Sequence, residues 1–232
     1  GLWTPNNKAF DIGITTMQAI SNLRNRIEPK FVGLNGEKDN GNGSLMRIAP
    51  LIPYIYGLVE EQQIQIISEV SSLTHRHPRS ILACIFLCKF AIQYLATKEI
   101  PTAFAYTQKE IKYLLTQEKF KNECSHFDRL VNLTYEQFRN IAENDIKSTG
   151  YVIDTLEASF WSIFNNNDFK DSVLCAVNLG YDADTVGAIT GALAGIIYGH
   201  DSIPEEWLNV LARKEDIIEL ANKLDSATKS NP

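Results

Sequence analysis

The sequence predicts an all-α fold, in a single compact domain of many helices. Apolar residues recur at helical spacing along most of the chain, as at Ile14, Met17 and Ile20. Sustained period-two alternation is missing, and no Asn-Gly turn joins two β-rich runs. With 232 residues, 44% of them apolar, the chain can bury a continuous core in one domain that covers residues 1–232.

The helical pattern divides into successive segments that end at glycine, proline or polar stretches. Pro78 opens the most apolar segment, at the first-turn position where a missing backbone N–H is harmless. The run from Ile81 to Leu95 is apolar almost all round, which is typical of a central helix. The other predicted helices cover about 14–28, 64–73, 102–117, 120–131, 135–142, 152–164, 169–177, 185–198, 204–211 and 217–224.

Composition and charge argue against several classes of function. A net charge of −6 disfavours a nucleic-acid surface and gives no attraction to anionic membranes. The longest apolar run is too short to span a bilayer. No secretory signal opens the chain, and its four cysteines include no C-x-x-C pair. We expect a cytoplasmic protein with reduced thiols and with no nucleic-acid or membrane partner, while monomer and dimer both stay open.

Asp182 and Asp184 lie two residues apart, and Thr185 follows at the predicted start of a helix. In an extended loop, side chains two residues apart point the same way, so both carboxylates can converge on one point. Two carboxylates and a hydroxyl are hard oxygen ligands, which favour Mg²⁺, Mn²⁺ or Ca²⁺ over zinc. Alternatively, Asp184 caps the helix and Asp182 is a solvated loop residue. Spacing alone does not separate the two interpretations.

The helix after these aspartates carries Gly187, Gly191 and Gly195 at every fourth position. A glycine inside a helix costs roughly 1 kcal/mol relative to alanine. The repeat therefore indicates a face that another helix approaches closely, so that packing holds the N-terminal end of this helix in place.

A second motif, Gly41-Asn42-Gly43-Ser44, ends the longest irregular stretch, residues 28–43. The glycines allow left-handed backbone and close approach to a ligand. Successive N–H groups there form a nest for an anion such as a diphosphate, and Ser44 begins a predicted helix that adds positive potential. Alternatively, the motif is a simple turn, and Arg47 is an ion-pair partner or a brace for the loop.

Together the motifs resemble the ADP-ribosylglycohydrolase family. The run from Gly180 to Gly195 is similar to the family's C-terminal signature, and the run from Gly41 to Arg47 is similar to its Gly-Asn-Gly-x-x-Met-Arg loop. The resemblance covers about 8–211 in the family's order. Its other matches are Phe10-Asp11-Ile12-Gly13 before Thr15-Thr16, Thr74-His75, Gly150 to Ala158 with Trp161, and Tyr198-Gly199 with Ile203-Pro204 before Trp207.

The resemblance implies an all-helical hydrolase that removes ADP-ribose from a modified side chain, or from a related small molecule, at a two-metal site for Mg²⁺ or Mn²⁺. It implies that Asp182, Asp184 and Thr185 are metal ligands, and that the two aspartates share the catalytic task of accepting a proton from water. The residues that it places against the ADP-ribose substrate are Asn42, Gly43, Ser44 and His75.

The family's remaining metal ligands come from a Thr-Asp-Asp-Thr motif, and this sequence contains no Asp-Asp pair. We therefore expect the family's N-terminal helices, and with them half of the metal site, to be missing. The chain is then a fragment of a complete enzyme or a shortened relative.

Two further hypotheses concern a chain without full activity. One is an ADP-ribose-binding or regulatory module, and the other is a helical core that dimerises through an exposed apolar groove. A diphosphate site of the terpene-synthase type is disfavoured, because it needs an Asp-Asp-x-x-Asp motif that this sequence lacks.

Overall fold

The computed structural model describes Thr4 and residues 7–229, and it confirms the all-α class. Within these residues the only β-type pairings are two isolated bridges, Leu34 with His75 and Gly41 with Tyr151. The α-helices are α1 (Ile14–Arg24), α2 (Ile52–Ile55), α3 (Glu60–Ser72), α4 (Pro78–Thr97), α5 (Ile100–Leu115), α6 (Asp128–Asn132), α7 (Tyr135–Arg139), α8 (Val152–Phe164), α9 (Phe169–Asn178), α10 (Ala183–Tyr198), α11 (Glu205–Val210) and α12 (Lys214–Lys229).

The most apolar helix, α4, lies at the centre of the core, as predicted. Its Phe86 and Phe90 pack edge-to-face on Phe160 of α8, with ring centroids 5.3 and 4.7 Å apart. By length and composition alone α4 is apolar enough to cross a bilayer, yet 72% of its most apolar window is buried by the rest of the chain. That burial is the pattern of a core helix. The cysteines of α4, Cys84 and Cys88, are buried free thiols, as expected.

Helix α10 packs mainly against α9 and α8. A Cβ added at Gly187 would lie 2.8 Å from Val177 Cγ1, so α9 does approach α10 closely there. At Gly191 the nearest atom would be at an ordinary 3.8 Å, and at Gly195 nothing lies within 4 Å. The predicted close helix contact is therefore confirmed at Gly187 and absent at the third position.

Several helical segments differ from the prediction in their type or in where they end. The segment predicted as a helix over 120–131 is a 3₁₀ helix, Lys121–Phe127, followed by the short α6. The helix predicted from Ser44 is only the 3₁₀ turn Leu45–Arg47, which is too short to build a sizeable dipole. Both ends of α9 carry residues with the matching preference, because Asp168 accepts a hydrogen bond from the Asp171 N–H and Gly180 has φ +80°.

Candidate active site

Asp182 occupies the N-cap position of α10 but makes no side-chain capping bond. Its backbone N–H donates to the carbonyl of Ser148 over 3.0 Å. Its Oδ2 accepts a hydrogen bond of 2.6 Å from Nδ2 of Asn42, which lies 140 positions earlier in the chain. The Asp182 carboxylate therefore faces the Gly-Asn-Gly loop, and the fold brings together the two motifs that the sequence singled out.

The backbone around the second aspartate differs from the prediction. Because α10 begins at Ala183, Asp184 is already helical, and the expectation of an extended loop between the two carboxylates is wrong. Asp184 is exposed, and its Oδ1 accepts the N–H of Thr185 over 2.9 Å, while Thr185 is buried. In the part of the chain that the structure describes, no group of three or more His, Cys, Asp or Glu side chains is placed to hold a metal ion. The metal-ligand set therefore stays a prediction.

Both N–H groups of the Asn42 side chain are directed by the surrounding fold. Besides the bond to Asp182, Nδ2 donates to Oγ1 of Thr155 on α8 over 2.8 Å. The Thr155 hydroxyl in turn donates to the carbonyl of Thr149 over 2.8 Å. The backbone N–H of Asn42 donates to the carbonyl of Gly150 over 3.0 Å. This buried residue thus holds the carboxylate of Asp182 in a set orientation.

Close packing against His75 explains why the loop has a glycine at position 43. The predicted left-handed backbone is wrong, since among the described glycines only Gly180 and Gly199 have positive φ. A Cβ at Gly43, however, would lie 2.8 Å from Cε1 of His75. The predicted anion nest also loses one of its donors, because the N–H of Asn42 is already bound. A small residue is needed at position 43 because an imidazole lies against the backbone.

His75 lies behind the glycine loop and is 2% exposed. Its Nδ1 is 2.7 Å from Oγ1 of Thr74. Burial, together with the positive charge of Arg47, lowers the pKa of His75 to about 4, against a small opposing effect of Asp39. The imidazole is therefore neutral at pH 7 and braces the loop. Its predicted contact with a ligand stays a prediction.

Two further residues of the loop face the protein interior. The side chain of Ser44 is fully buried, and its hydroxyl accepts a weak hydrogen bond of 3.5 Å from Cys84 Sγ. Only the backbone of Ser44 therefore lies along the loop, and its side chain does not join the cluster. Arg47 donates to the carbonyls of Gly43 at 2.6 Å and of Val70 at 3.2 Å, so the interpretation of Arg47 as a brace is confirmed.

Sequence reasoning missed the individual roles of Ser148, Gly150 and Thr155, which hold Asp182 and Asn42 from the α8 side. Such partners carry no local signal, because a threonine or a main-chain carbonyl is placed by the tertiary fold. A cavity of about 260 Å³ adjoins them and is lined by Lys38, Asn40, Gly41, Gly150 and Tyr151. A larger cavity of about 460 Å³ is lined by other elements, α5 and α6 among them, so size alone does not locate the site.

The arrangement presents a half-buried carboxylate that is oriented by a neutral amide, beside a glycine-rich loop. An amide N–H can only donate, so the Asn42 side chain fixes the position of the carboxylate oxygen that accepts from it. An oriented anionic oxygen of this kind can hold a hard cation or accept a proton.

A comparison with known proteins finds a family whose model matches the whole region that the structure describes. A family model described as ADP-ribosylglycohydrolase matches residues 2–232. The chain is 33% identical to "ADP-ribosylarginine hydrolase Tri1" of Serratia proteamaculans (strain 568), over 94% of this chain and 55% of that protein. It is 27% identical to "ADP-ribosyl-[dinitrogen reductase] glycohydrolase" of Rhodospirillum rubrum, over 92% of this chain and 64% of that protein.

A solved structure titled "ADP-ribosylglycohydrolase-related protein complex" has a similar fold. Its TM-score is 0.75 at 28% identity, over 93% of this chain and 69% of that one. The chain spans about half the length of the arginine hydrolases of Serratia proteamaculans and Pseudomonas putida, namely 55% and 54%.

Proposed function

Because this chain belongs to the ADP-ribosylglycohydrolase family, we propose that it contributes Asp182 and the loop around Asn42 to a hydrolase that removes ADP-ribose from a modified side chain. The contact of 2.6 Å between these residues carries the proposal, because it joins the family's two motifs into one site. The names of the relatives point to protein-linked ADP-ribose, and to arginine as the first linkage to test.

The residues at the start of α10 fit a magnesium ion in their chemistry. Asp182, Asp184 and Thr185 offer hard oxygen donors, and Asp184 is open to solvent. Among the described residues only Asn42 donates to the Asp182 carboxylate, from its Nδ2 to the Oδ2 of Asp182. We therefore infer that these three residues hold Mg²⁺ or Mn²⁺. When bound, such an ion would orient ribose hydroxyls and the attacking water.

The chain's own groups suit the hydrolysis of a glycosidic bond. The bond from ribose C1″ to the side-chain atom breaks through an oxocarbenium-like state, and the oxygen of water bonds to C1″. The proton released by water passes to a carboxylate, for which Asp182 and Asp184 are the candidates, and the leaving side chain takes a proton from solvent. Asn42 keeps Asp182 oriented, while His75 behind the loop is neutral at pH 7.

The test measures release of ADP-ribose from ADP-ribosyl-arginine and ADP-ribosyl-serine substrates by the natural full-length gene product that contains this sequence. Reactions run with Mg²⁺ and with a chelator. Asp182→Asn keeps the shape of the side chain and removes its charge, so we expect a loss of at least about 100-fold in turnover. Asp201→Asn changes a fully exposed carboxylate on the turn after α10 and should leave turnover unchanged.

A catalytically incomplete ADP-ribose-binding module is the alternative function. Calorimetry with ADP-ribose separates the two functions. Binding without turnover supports the module, whereas binding with turnover supports the hydrolase. If the protein neither binds ADP-ribose nor releases it, both proposals fail.

A further inference from the structure

A short irregular segment connects the two motifs of the candidate site. Residues 148–150, which we call the connecting segment, lie between a 3₁₀ turn and the start of α8. The carbonyl of Ser148 accepts the backbone N–H of Asp182 over 3.0 Å, and the carbonyl of Gly150 accepts the backbone N–H of Asn42 over 3.0 Å. The relative position of Asn42 and Asp182 therefore depends on where this segment lies.

One end of the connecting segment is tied to the residues that lead into α10. Ser148 is buried, and its hydroxyl donates to the carbonyls of Leu179 and Gly180 at 3.3 and 3.1 Å. These two carbonyls follow α9 and precede Asp182 by a few residues. Irregular backbone has no ladder of its own, so side-chain bonds of this kind decide its position.

The middle of the connecting segment is tied to α8 by a charged group, Asp154. Oγ1 of Thr149 donates to Oδ2 of Asp154 over 2.6 Å, which is typical of a strong bond between a hydroxyl and a carboxylate. The same Oγ1 accepts the backbone N–H of Tyr151 over 3.2 Å. Asp154 lies in the first turn of α8, where the helix dipole favours a negative charge. A buried helix thus holds the segment through the Thr149 side chain.

The main chain of Thr149 leads from α8 to the site. Its carbonyl accepts the hydroxyl of Thr155 over 2.8 Å, and Oγ1 of Thr155 accepts Nδ2 of Asn42 over 2.8 Å. This Nδ2 is the atom that also donates to Asp182. A displacement of Thr149 would therefore disturb the hydrogen bonds that orient the Asn42 side chain.

We propose that Thr149 and Asp154 are positioning residues of the hydrolase, which act through the connecting segment to set the contact between Asn42 and Asp182. This inference rests on the proposed function, because it assigns the pair to the site of that reaction. Neither side chain lines the adjoining cavity. We therefore expect their loss to lower kcat with little change in KM, since the carboxylate is misaligned while the walls of the cavity remain.

A purely structural role for Asp154 is the competing explanation. A carboxylate in the first turn stabilises a helix wherever that helix lies, and in that case loss of the Thr149 bond would lower stability and leave the site unchanged. Helix α5 offers a matched control, because Thr102 donates to the carboxylate of Glu99 over 2.9 Å near the start of that helix. Thr102→Val removes the same kind of bond away from the site.

The first experiment measures kcat and KM for the release of ADP-ribose by the full-length gene product. Thr149→Val keeps the shape of the side chain and removes its hydroxyl, so kcat should fall by about tenfold. Thr149→Ser retains the hydroxyl and should keep kcat within about twofold of the wild type. Thr102→Val should leave both constants unchanged.

A double-mutant cycle tests whether the two residues act together. Asp154→Ala should lower kcat as much as Thr149→Val does. The double variant should be no slower than either single variant, because each change removes the same hydrogen bond. Additive losses would overturn the assignment of Asp154, since the two side chains would then act separately.

A second measurement does not depend on activity. In the same protein with isotope-labelled asparagine, Asn42→Ala identifies the side-chain amide resonances of Asn42 by their loss. Thr149→Val and Asp154→Ala should both shift these resonances, because the partners of the amide move. Thr149→Ser and Thr102→Val should leave them in place.

The two measurements separate failure of this proposal from failure of the proposed function. If Thr149→Val and Asp154→Ala keep the kcat and the Asn42 resonances of the wild type, the positioning role is overturned. If the wild type releases no ADP-ribose, the hydrolase function fails, and the Asn42 resonances alone decide whether the pair positions the site. Circular dichroism establishes that each variant is folded, and Asp154→Ala keeps the test decisive if Thr149→Val does not fold.

Discussion

At the candidate site a neutral amide, Asn42, orients the carboxylate of Asp182 at 2.6 Å. An arginine at this position would also orient the carboxylate, but its positive charge would offset the negative charge of the site. The amide leaves that negative charge available for a cation or a proton. A single buried side chain thus supplies geometry without neutralising the group that it positions.

The nearby histidine makes stability depend on pH. Because the pKa of His75 is about 4 in the folded state and about 6.5 in the unfolded chain, the unfolded state binds more protons between these values. The contribution of neutral His75 is therefore fully present above about pH 6.5 and is lost as the pH falls to about 4. The loss amounts to about 3 kcal/mol. We expect His75→Gln to flatten the pH dependence of urea denaturation across this window.

His200→Gln is the matched control, because the side chain of His200 is 70% exposed. His200→Gln should leave the pH dependence of the free energy of unfolding unchanged. Equal slopes in the wild type and in His75→Gln would show that burial does not set the proton affinity of His75.

At the scale of the elements, the glycines of α10 serve different purposes although they share one spacing. Gly187 lies where α9 comes too close for a side chain, whereas Gly195 has open space around its Cα. Regular spacing in the sequence therefore overstates the extent of the close contact. A periodic pattern reports which residues share a helical face, and the packing distance decides how many of them must be small.

This difference predicts opposite effects of the same substitution. Gly187→Ala should destabilise the fold by about 1–2 kcal/mol, because the new Cβ meets Val177 Cγ1 at 2.8 Å and the neighbouring helix must shift. Gly195→Ala should stabilise it by about 0.5–1 kcal/mol, through the higher helix propensity of alanine. Thermal and urea denaturation of both variants measure the effects. Similar changes of the same sign would refute the packing difference between the two positions.

At the scale of the whole molecule, one buried cation ties distant segments to the loop that leads into the site. Arg79 of α4 donates from Nε to Glu123 over 2.7 Å, and both side chains are about 5% exposed. Its Nη2 lies 2.7 Å from Glu37, and His77 Nε2 lies 3.3 Å from the same carboxylate. Glu37 belongs to the irregular stretch 28–43 that leads into the Gly-Asn-Gly loop. The loop is therefore attached to the core at a point away from Asn42.

Replacing Arg79 alone should lower the free energy of unfolding more than replacing both Arg79 and Glu123. Arg79→Met leaves Glu123 buried without its partner, and we expect a loss of about 3–5 kcal/mol in the free energy of unfolding. The double variant Arg79→Met with Glu123→Leu replaces both charges by apolar groups and should recover most of that loss. Urea denaturation at pH 7 measures both. If the double variant is as unstable as the single one, the stability does not depend on the buried charge of Glu123.

Helices with strong local signals were predictable from the sequence. The Pro78 helix and α9 were placed to within a few residues, because proline, aspartate and glycine signal helix ends through their own backbone chemistry. Short 3₁₀ segments such as Lys121–Phe127 were predicted as α-helix, since periodicity does not separate the two at that length. Likewise, the spacing of Ile14, Met17 and Ile20 predicted α1 correctly. The same spacing does not tell whether these apolar residues face a core or solvent.

By itself, the sequence determined the all-α class, the order of the helices and the two motifs that identify the family, because each of these depends on residues close together in the chain. Only the tertiary structure decided that Asn42 donates to Asp182, that Ser44 faces the core and that Gly43 leaves room for His75. These contacts join residues up to 140 positions apart, and their geometry depends on how helices pack, which no local pattern encodes.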